Sequence, residues 1–540
     1  MHVLTMVNKL AFVGSALVFG LTLASHSVAQ QPNVGVVQYA QISLAGFGAG
    51  AGNDCWGYVS PSGREYALVG LNNRVGFVEI TNPAVPVLLG TIPHSSSTWG
   101  DIKVYGHYAY AVTETSGTGI QVFDLDLIDS GTVTLVRTIA SPGRTHNLVL
   151  NTTSGYLYTC GSRDGTGTTM CFSLANPANP VQVGAATMTA NYQHDANVVS
   201  YTTGPYAGRE IWFGCSANRG VEIHDVTNKN APFLVSTSVY THVAYCHQAW
   251  LSADRKYLYV DDEQDETSFG GNTRSVIFNV ENIAAPVFIG EFTSGLPSID
   301  HNQYVANGFT FQANYQSGLR IFDLANNPVV PVQVGAFDTY PASDGAAYNG
   351  AWSTYPFFPS GTVIVSDINS GLFVLNATEA LTRTVNPTSF ALGQYCISAG
   401  NLTSVGNSDD NRMVFKSTPN DVFVPNPLQV DFSCAAYDNN PTKIRVVVES
   451  AYKEGFKGSI STASQTVSLF DWTTNSFVSV NQSSIGPSDQ SIEITAPGSA
   501  ARFVNQSTLE VKARVSWAGV KSTGSGGAAT IDQFLFRITR

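Results

Sequence analysis

One apolar strand pattern occurs seven times along the chain, and this repeat limits the fold more than any other feature of the sequence. The copies begin at Val75, Ile120, Met170, Val221, Val276, Leu319 and Leu372, about 43 to 55 residues apart. Val221-Glu-Ile-His-Asp-Val226 and Leu319-Arg-Ile-Phe-Asp-Leu324 are typical. A four-stranded propeller blade occupies that length. Most copies are followed by a Pro-containing turn and another strand, as in Asn82 to Gly90 and Asn176 to Gly184. Proline cannot donate to a β-ladder, so this following strand belongs at the outer edge of its blade. Tyr-rich strands precede the pattern, as at Tyr108 to Val112 and Tyr257 to Val260, which orders each unit as four strands from axis to rim. The seventh unit has no such outer strand after Asn376, whereas Pro32 to Gln41 has its character. The N-terminus is therefore expected to close the ring and cover the two edges an open array would expose.

The rest of the chain divides around this array. Residues 1–29 carry Lys9, an apolar run from Leu10 to Leu23 and small residues at Ser27 and Ala29, the plan of a secretory signal cleaved after Ala29. The repeats occupy 30–380. From 386 to 540 the period is lost, and strands are predicted at Val430 to Ala436, Lys443 to Ser450, Thr466 to Phe470, Ser491 to Thr495, Thr508 to Ser516 and Asp532 to Ile538. The expected fold class is all-β: a seven-bladed β-propeller closed by an N-terminal strand, followed by a jelly-roll-like C-terminal β-sandwich. No later stretch approaches the roughly 20 apolar residues of a spanning helix, so a secreted, extracellular mature chain without a transmembrane segment is expected. A net charge of −12 with no Lys/Arg cluster argues against nucleic acid as a partner. Cys160 and Cys171 flank a Gly/Thr turn and are candidates for a disulfide; the pairing of the other five cysteines stays open.

Position in the repeat predicts position in space. The innermost strands begin near Trp56, Trp99, His146, His194, His247, His301 and Asn349, so four successive units place a histidine at one mouth of the axial channel. Second strands of antiparallel pairs end on that same face, near Glu114, the acidic run Asp261 to Glu266, and Asp367. Neutral imidazole binds first-row metals and carboxylates complete such shells or bind Ca. The candidate metal ligands are His146, His194, His247, His301, Asp262 and Glu263, and the expected cofactor is a divalent cation, either Ca or a first-row transition metal. Trp99, Glu114, Asn349, Trp352 and Asp367 are candidates for a ligand funnel. The structural alternative is that the histidines only bond neighbouring loops and that the acidic run is solvated. Asn147, Asp195, Gln248 and Asn302, each following a histidine, should turn into the sheet by strand alternation. Asp124, Asp225 and Asp323 end third strands, where turn-forming Asp is expected. No His-Glu-x-x-His pair, Gly-x-Ser-x-Gly elbow or phosphate loop is present.

Over residues 36–376, Trp99-Gly-Asp101, His194-Asp195, His247-Gln-Ala-Trp250, Asp300-His-Asn302, Asn314 to Arg320 and Gly350 to Gly361 occur in order among the Leu-x-Ile-x-Asp strands. This series resembles the choice-of-anchor B family of LVIVD-repeat propellers. The resemblance implies a surface or secreted propeller without a defined molecular activity. Val467 to Trp472 and Ile531 to Phe534 are similar to sugar-binding-like jelly rolls of bacterial extracellular proteins. The leading functional expectation is a recognition protein for an extracellular ligand, a glycan or a matrix or cell-surface protein. A metal-dependent, hydrolase-like enzyme with a His/carboxylate site on the axis is the alternative, and a structural scaffold is a third.

Overall fold

The computed structural model describes residues 32–162, 169–184, 188–394, 396–417, 428–453, 462–518 and 527–540. The expected signal peptide lies outside these residues. The described chain is all-β and is made of many four-stranded antiparallel sheets, consistent with a β-propeller. Six of them are built from strands consecutive in sequence, for example Asp195–Ser200, Glu210–Cys215, Val221–Asp225 and Phe233–Ser238. Each fourth strand is the last of its sheet, and these strands expose apolar residues such as Val87, Val181, Phe233 and Val332 at the rim; Val34 bridges to Ala336 on the outer side of Val332–Phe337.

The remaining four-stranded sheet is completed from the far end of the chain. Val37–Ile42 pairs antiparallel with Gly371–Asn376, which pairs in turn with Thr362–Asp367 and Ala351–Tyr355. Two local features mark Val37–Ile42 as equivalent to the other fourth strands. It carries a register shift between Gln38 and Ala40, as third-to-fourth pairings elsewhere do at Ile223/His224 and Ile321/Phe322. The glycine opening the third strand also meets its last carbonyl. A Cβ at Gly220 would lie 2.4 Å from Ser238 O, one at Gly318 2.3 Å from Phe337 O, and one at Gly371 2.3 Å from Ile42 O. All three glycines have positive φ, so both the backbone conformation and the close approach require the missing side chain.

The innermost strands touch in a closed cycle: Gly52–Val59 with Gly100–Tyr105, then Asn147–Asn151, Asp195–Ser200, Cys246–Leu251, Gln303–Ala306, Ala351–Tyr355 and back to Gly52–Val59. Apolar clusters fill the gaps between neighbouring sheets, as where Phe213, Ile223, Ala249 and Leu258 meet. Asp124, Asp225 and Asp323 accept backbone N–H bonds from residues two further on, at 2.9, 3.0 and 3.0 Å, the expected turn role.

The six strands expected beyond 386 are present, and Thr382–Val385, Ser389–Leu392, Cys396–Ala399, Met413–Ser417 and Ser476–Ile485 join them. They form one six-stranded and one five-stranded sheet sharing a single core around Phe432, Val446, Trp517 and Phe534. This unit begins earlier than 386, because Thr382–Val385 pairs with Ala528–Thr539. Arg383 ties it to the preceding sheets through an ion pair with Asp323, while its guanidinium lies 4.1 Å from the Tyr437 ring centroid.

The candidate Cys160–Cys171 bridge is not formed. Cys171 opposes Tyr158, which leaves Cys160 one diagonal step along the ladder, and all seven cysteines are buried free thiols.

Candidate functional site

The four repeat histidines come together at one end of the innermost strands. Their rings form a continuous arc, with centroids 4.3 Å apart for His146–His194, 4.1 Å for His194–His247 and 4.3 Å for His247–His301. Each places Nδ1 against a fixed partner: Glu114 Oε1 at 2.7 Å from His146, His247 O at 3.0 Å from His194, Asp261 Oδ1 at 3.1 Å from His247, and Trp352 O at 2.5 Å from His301. A carbonyl oxygen can only accept, so the protons of His194 and His301 sit on Nδ1 and leave Nε2 with a free lone pair. Burial pushes the His194 and His247 imidazoles well below their usual range, with neighbouring imidazoles adding to it. Burial brings His301 down to about 3. Near neutral pH these rings are neutral, the form that binds metal.

Glu263 supplies the carboxylate facing them. It follows the strand Tyr257–Asp262, and its Oε2 lies 4.0 Å from His247 Nε2 and its Oε1 3.7 Å from His301 Nε2. Tyr315 donates its hydroxyl to Oε1 at 2.7 Å. Burial raises the Glu263 carboxyl, an effect the Tyr315 bond opposes. His194, His247 and Glu263 each offer one donor atom, all within 4.8 Å of one another, and form a candidate metal-binding site. The Nδ1 partners are the kind of outer shell that orients metal-bound imidazole.

The other candidate residues divide. His146 flanks the group through His194, and Glu114 acts by holding His146. Trp352 packs 5.0 Å from His301, centroid to centroid, and its carbonyl fixes that ring. Asp262 faces elsewhere, accepting bonds from Tyr240 OH at 2.8 Å, Ala244 N at 2.9 Å and Tyr245 N at 2.6 Å, so it shapes a loop. Asp367 caps the turn at Asn369 and Ser370 in the same way, and Asn349 bonds Gln316 and Asn369. Trp99 is exposed at the surface. The acidic run is not a solvated loop: Asp261, Asp262, Asp265 and Glu266 are buried.

Residues following the histidines depart from simple alternation. Asn147 bonds His194 O and Gln248 accepts from Gln303 N, as packing residues should. Yet Asp195 and Gln248 also line a cavity of about 540 Å³ with Trp56, Lys103, Trp250 and Tyr304. Sequence reasoning missed this cavity and Tyr315. The signal for Tyr315 was its place in Asn314-Tyr-Gln-Ser-Gly, the turn that bridges to the next innermost strand at Ala351.

Fold and site together define a propeller-like, all-β protein with a candidate metal centre at the first residues of its innermost strands. No known family profile matches the chain, and no curated protein matches it in sequence. Among solved structures it is similar to a putative 6-phosphogluconolactonase from Bacteroides uniformis, at 14% identity and a TM-score of 0.38 over 54% of this chain and 84% of that one. It is similar to U3-55K at 9% identity and a TM-score of 0.42, covering 63% and 98%. The computationally designed Ika8 protein gives 9% and 0.38, covering 60% and 82%. Likenesses this remote say nothing about activity.

Proposed function

We propose that this chain is an extracellular recognition protein of the choice-of-anchor B type that holds a first-row divalent metal through His194, His247 and Glu263, with His301 beside them. In this reading it is a secreted seven-bladed propeller, closed by its N-terminal strand and followed by a jelly-roll-like sandwich. The closed cycle of innermost strands and the fourth-strand character of Val37–Ile42 support the blade count. The repeat motifs of the sequence support the family, and the leader-like pattern of residues 1–29 supports export.

The observation that carries the metal is the fixed tautomer. His194 and His301 have their Nδ1 protons tied to carbonyls, and the Nε2 atoms of His247 and His301 lie 4.0 and 3.7 Å from the Glu263 carboxylate. Imidazole with carboxylate suits Zn, Fe, Mn or Ni better than Ca. A bound ion would supply Lewis acidity toward an oxygen of the extracellular ligand, a glycan or a matrix or cell-surface protein. Elemental analysis of protein purified without chelator tests this. About one equivalent of metal is expected in the wild type and little in a His194→Ala/His247→Ala variant. Metal-free wild type that also takes up no Zn or Co by calorimetry would sink the proposal.

A second reading, a metal-dependent hydrolase, is favoured by Glu263, whose carboxyl is raised by burial and held by Tyr315. Its test is turnover of simple aryl esters and phosphodiesters by the metal-loaded wild type, lost on chelation and in Glu263→Gln; metal-loaded wild type that turns over neither would sink it.

A further inference from the structure

Three acidic side chains meet in a second buried place, separate from the imidazole arc. Asp265 and Glu266 open the short helix Asp265–Phe269, and Asp300 comes from the segment ahead of the next innermost strand, Gln303–Ala306. One oxygen of each lies within 4.8 Å of the others. They are only 5%, 5% and 1% exposed. Among the described residues one cation bonds the group, and it reaches only Asp265: Arg274 Nε lies 2.8 Å from Asp265 Oδ2, and its guanidinium is shared with Glu291 and the carbonyls of Thr241 and His242. Five carboxylate oxygens, Asp265 Oδ1 and both oxygens of Glu266 and of Asp300, have no hydrogen-bond donor among the described residues.

Asp300 is the informative member. It belongs to a different segment from the helix pair, it is almost completely buried, and both its oxygens lack donors while one lies against that pair. A carboxylate solvated by nothing and answered by no positive charge is expensive, and native interiors avoid it unless something binds there. Burial and the neighbouring acids raise the carboxyls of Glu266, to about 9, and of Asp300, so without an ion the cluster holds protons that a cation would displace.

We propose that Asp265, Glu266 and Asp300 form a calcium site. The donors are all oxygen, which selects a hard cation over the metals that imidazole prefers. Ca–O distances of about 2.3–2.6 Å let oxygens on opposite sides of the ion stand nearly 5 Å apart, wider than the roughly 4 Å that Mg allows. The neighbouring cleft of about 370 Å³, lined by Asp265, Phe269, Gly270 and Arg274, gives an entry path. The ion would act on the imidazole site through the chain. Glu266 is three residues from Glu263, and Asp300 precedes His301, so one cation pins both segments. The calcium site itself does not depend on a metal at the histidines.

Isothermal calorimetry with CaCl₂ on the chelator-treated, desalted full chain is the test. One equivalent of Ca is expected, at least tenfold weaker in Asp300→Asn and in Glu266→Gln, and unchanged in His247→Gln. A melting-temperature rise with Ca exceeding that with Mg, measured on the wild type alone, covers the case in which either variant fails to fold. Folded wild type that binds no Ca at millimolar concentration, or carboxamide variants that bind it as the wild type does, would overturn the assignment. Zn uptake surviving in Asp300→Asn, with Ca lost, would separate this site from the imidazole centre.

Discussion

Replacing Lys103 by methionine tests how the innermost strands are held together. The Lys103 ammonium lies between two carboxylates, 3.3 Å from Asp54 Oδ2 and bonded also to Asp101, and 4.6 Å from the centroid of the Trp56 ring. The same carboxylates join neighbouring sheets: Asp54 accepts from Ile102 N at 3.2 Å, and Asp101 from Leu148 N at 2.5 Å. Burial raises both acids. At Asp54 the Lys103 charge and local hydrogen bonds more than offset burial, so its carboxyl ends below the usual range, whereas Asp101 stays well above it.

Methionine keeps the apolar stem and removes the charge, leaving Asp54 to stay ionised without a partner or to take up a proton. The second route sets the bound. Protonating an Asp of ordinary pKa about 3.9 costs about 1.4 kcal/mol per pH unit, so about 4 kcal/mol at pH 7 and about 1.5 kcal/mol at pH 5. The larger figure agrees with the ~3–5 kcal/mol that breaking a buried ion pair costs. In the variant the folded Asp54 pKa lies above its unfolded value. Its relative stability is then recovered as pH falls and lost as pH rises, the reverse of wild-type Asp54. Urea unfolding followed by tryptophan fluorescence, on both proteins across this pH range, reads the difference. A gap below about 1 kcal/mol at pH 7, or one that does not shrink toward pH 5, would refute the reasoning.

In chelated protein the imidazole arc should lower stability under acid. An unfolded His takes a proton near 6.5 while folded His301 refuses it until about 3, so His301 alone accounts for about 2 kcal/mol lost by pH 5, and His301→Gln should lose that much less in urea titrations. Deleting residues 32–42 strips the fourth strand from Gly371–Asn376, so a lower melting temperature and concentration-dependent association by light scattering are expected; an unchanged melting temperature would count against strand closure. Ellman's reagent should find no reactive thiol in the native chain and seven after denaturation, and any smaller number in denaturant would reveal a disulfide.

Much of the arrangement was legible because the repeat fixes register. Histidines at equivalent positions of four units have to stand at one level of a ring, and they do. The fourth-strand character of the N-terminus was legible for the same reason. Which acid faces the imidazoles was not. Asp262 and Glu263 are adjacent, so they point to different sides, and the choice rests on a register shift between Cys246 and Ala249 that no repeat pattern encodes. Irregularities at Gly52/Cys55 and Ala351/Ser353 likewise undo strict alternation on the innermost strands. Whether the acidic run is solvated or buried was not legible, because its enclosure comes from Asp300, Arg274 and Tyr315, residues distant in sequence whose convergence is a property of the ring.

The innermost strands also carry different chemistry at their two ends. His247 and Trp250 are three residues apart, roughly 10 Å along a strand, and His301 precedes Gln303–Ala306 while Tyr304 lies within it. One end gathers neutral imidazoles. The other gathers Trp56, Trp250 and Tyr304 around the Lys103 group, with Trp250 and Tyr304 ring centroids 4.9 Å apart. Groups that far apart, with no shared hydrogen-bond partner, should perturb stability independently, to within about 0.5 kcal/mol. Lys103→Met and His247→Gln combined in one chain should therefore cost the sum of their separate effects in urea unfolding. A larger discrepancy would mean that the first strands transmit strain from one mouth of the channel to the other, and that a ligand in the aromatic cavity could alter metal binding at the imidazoles.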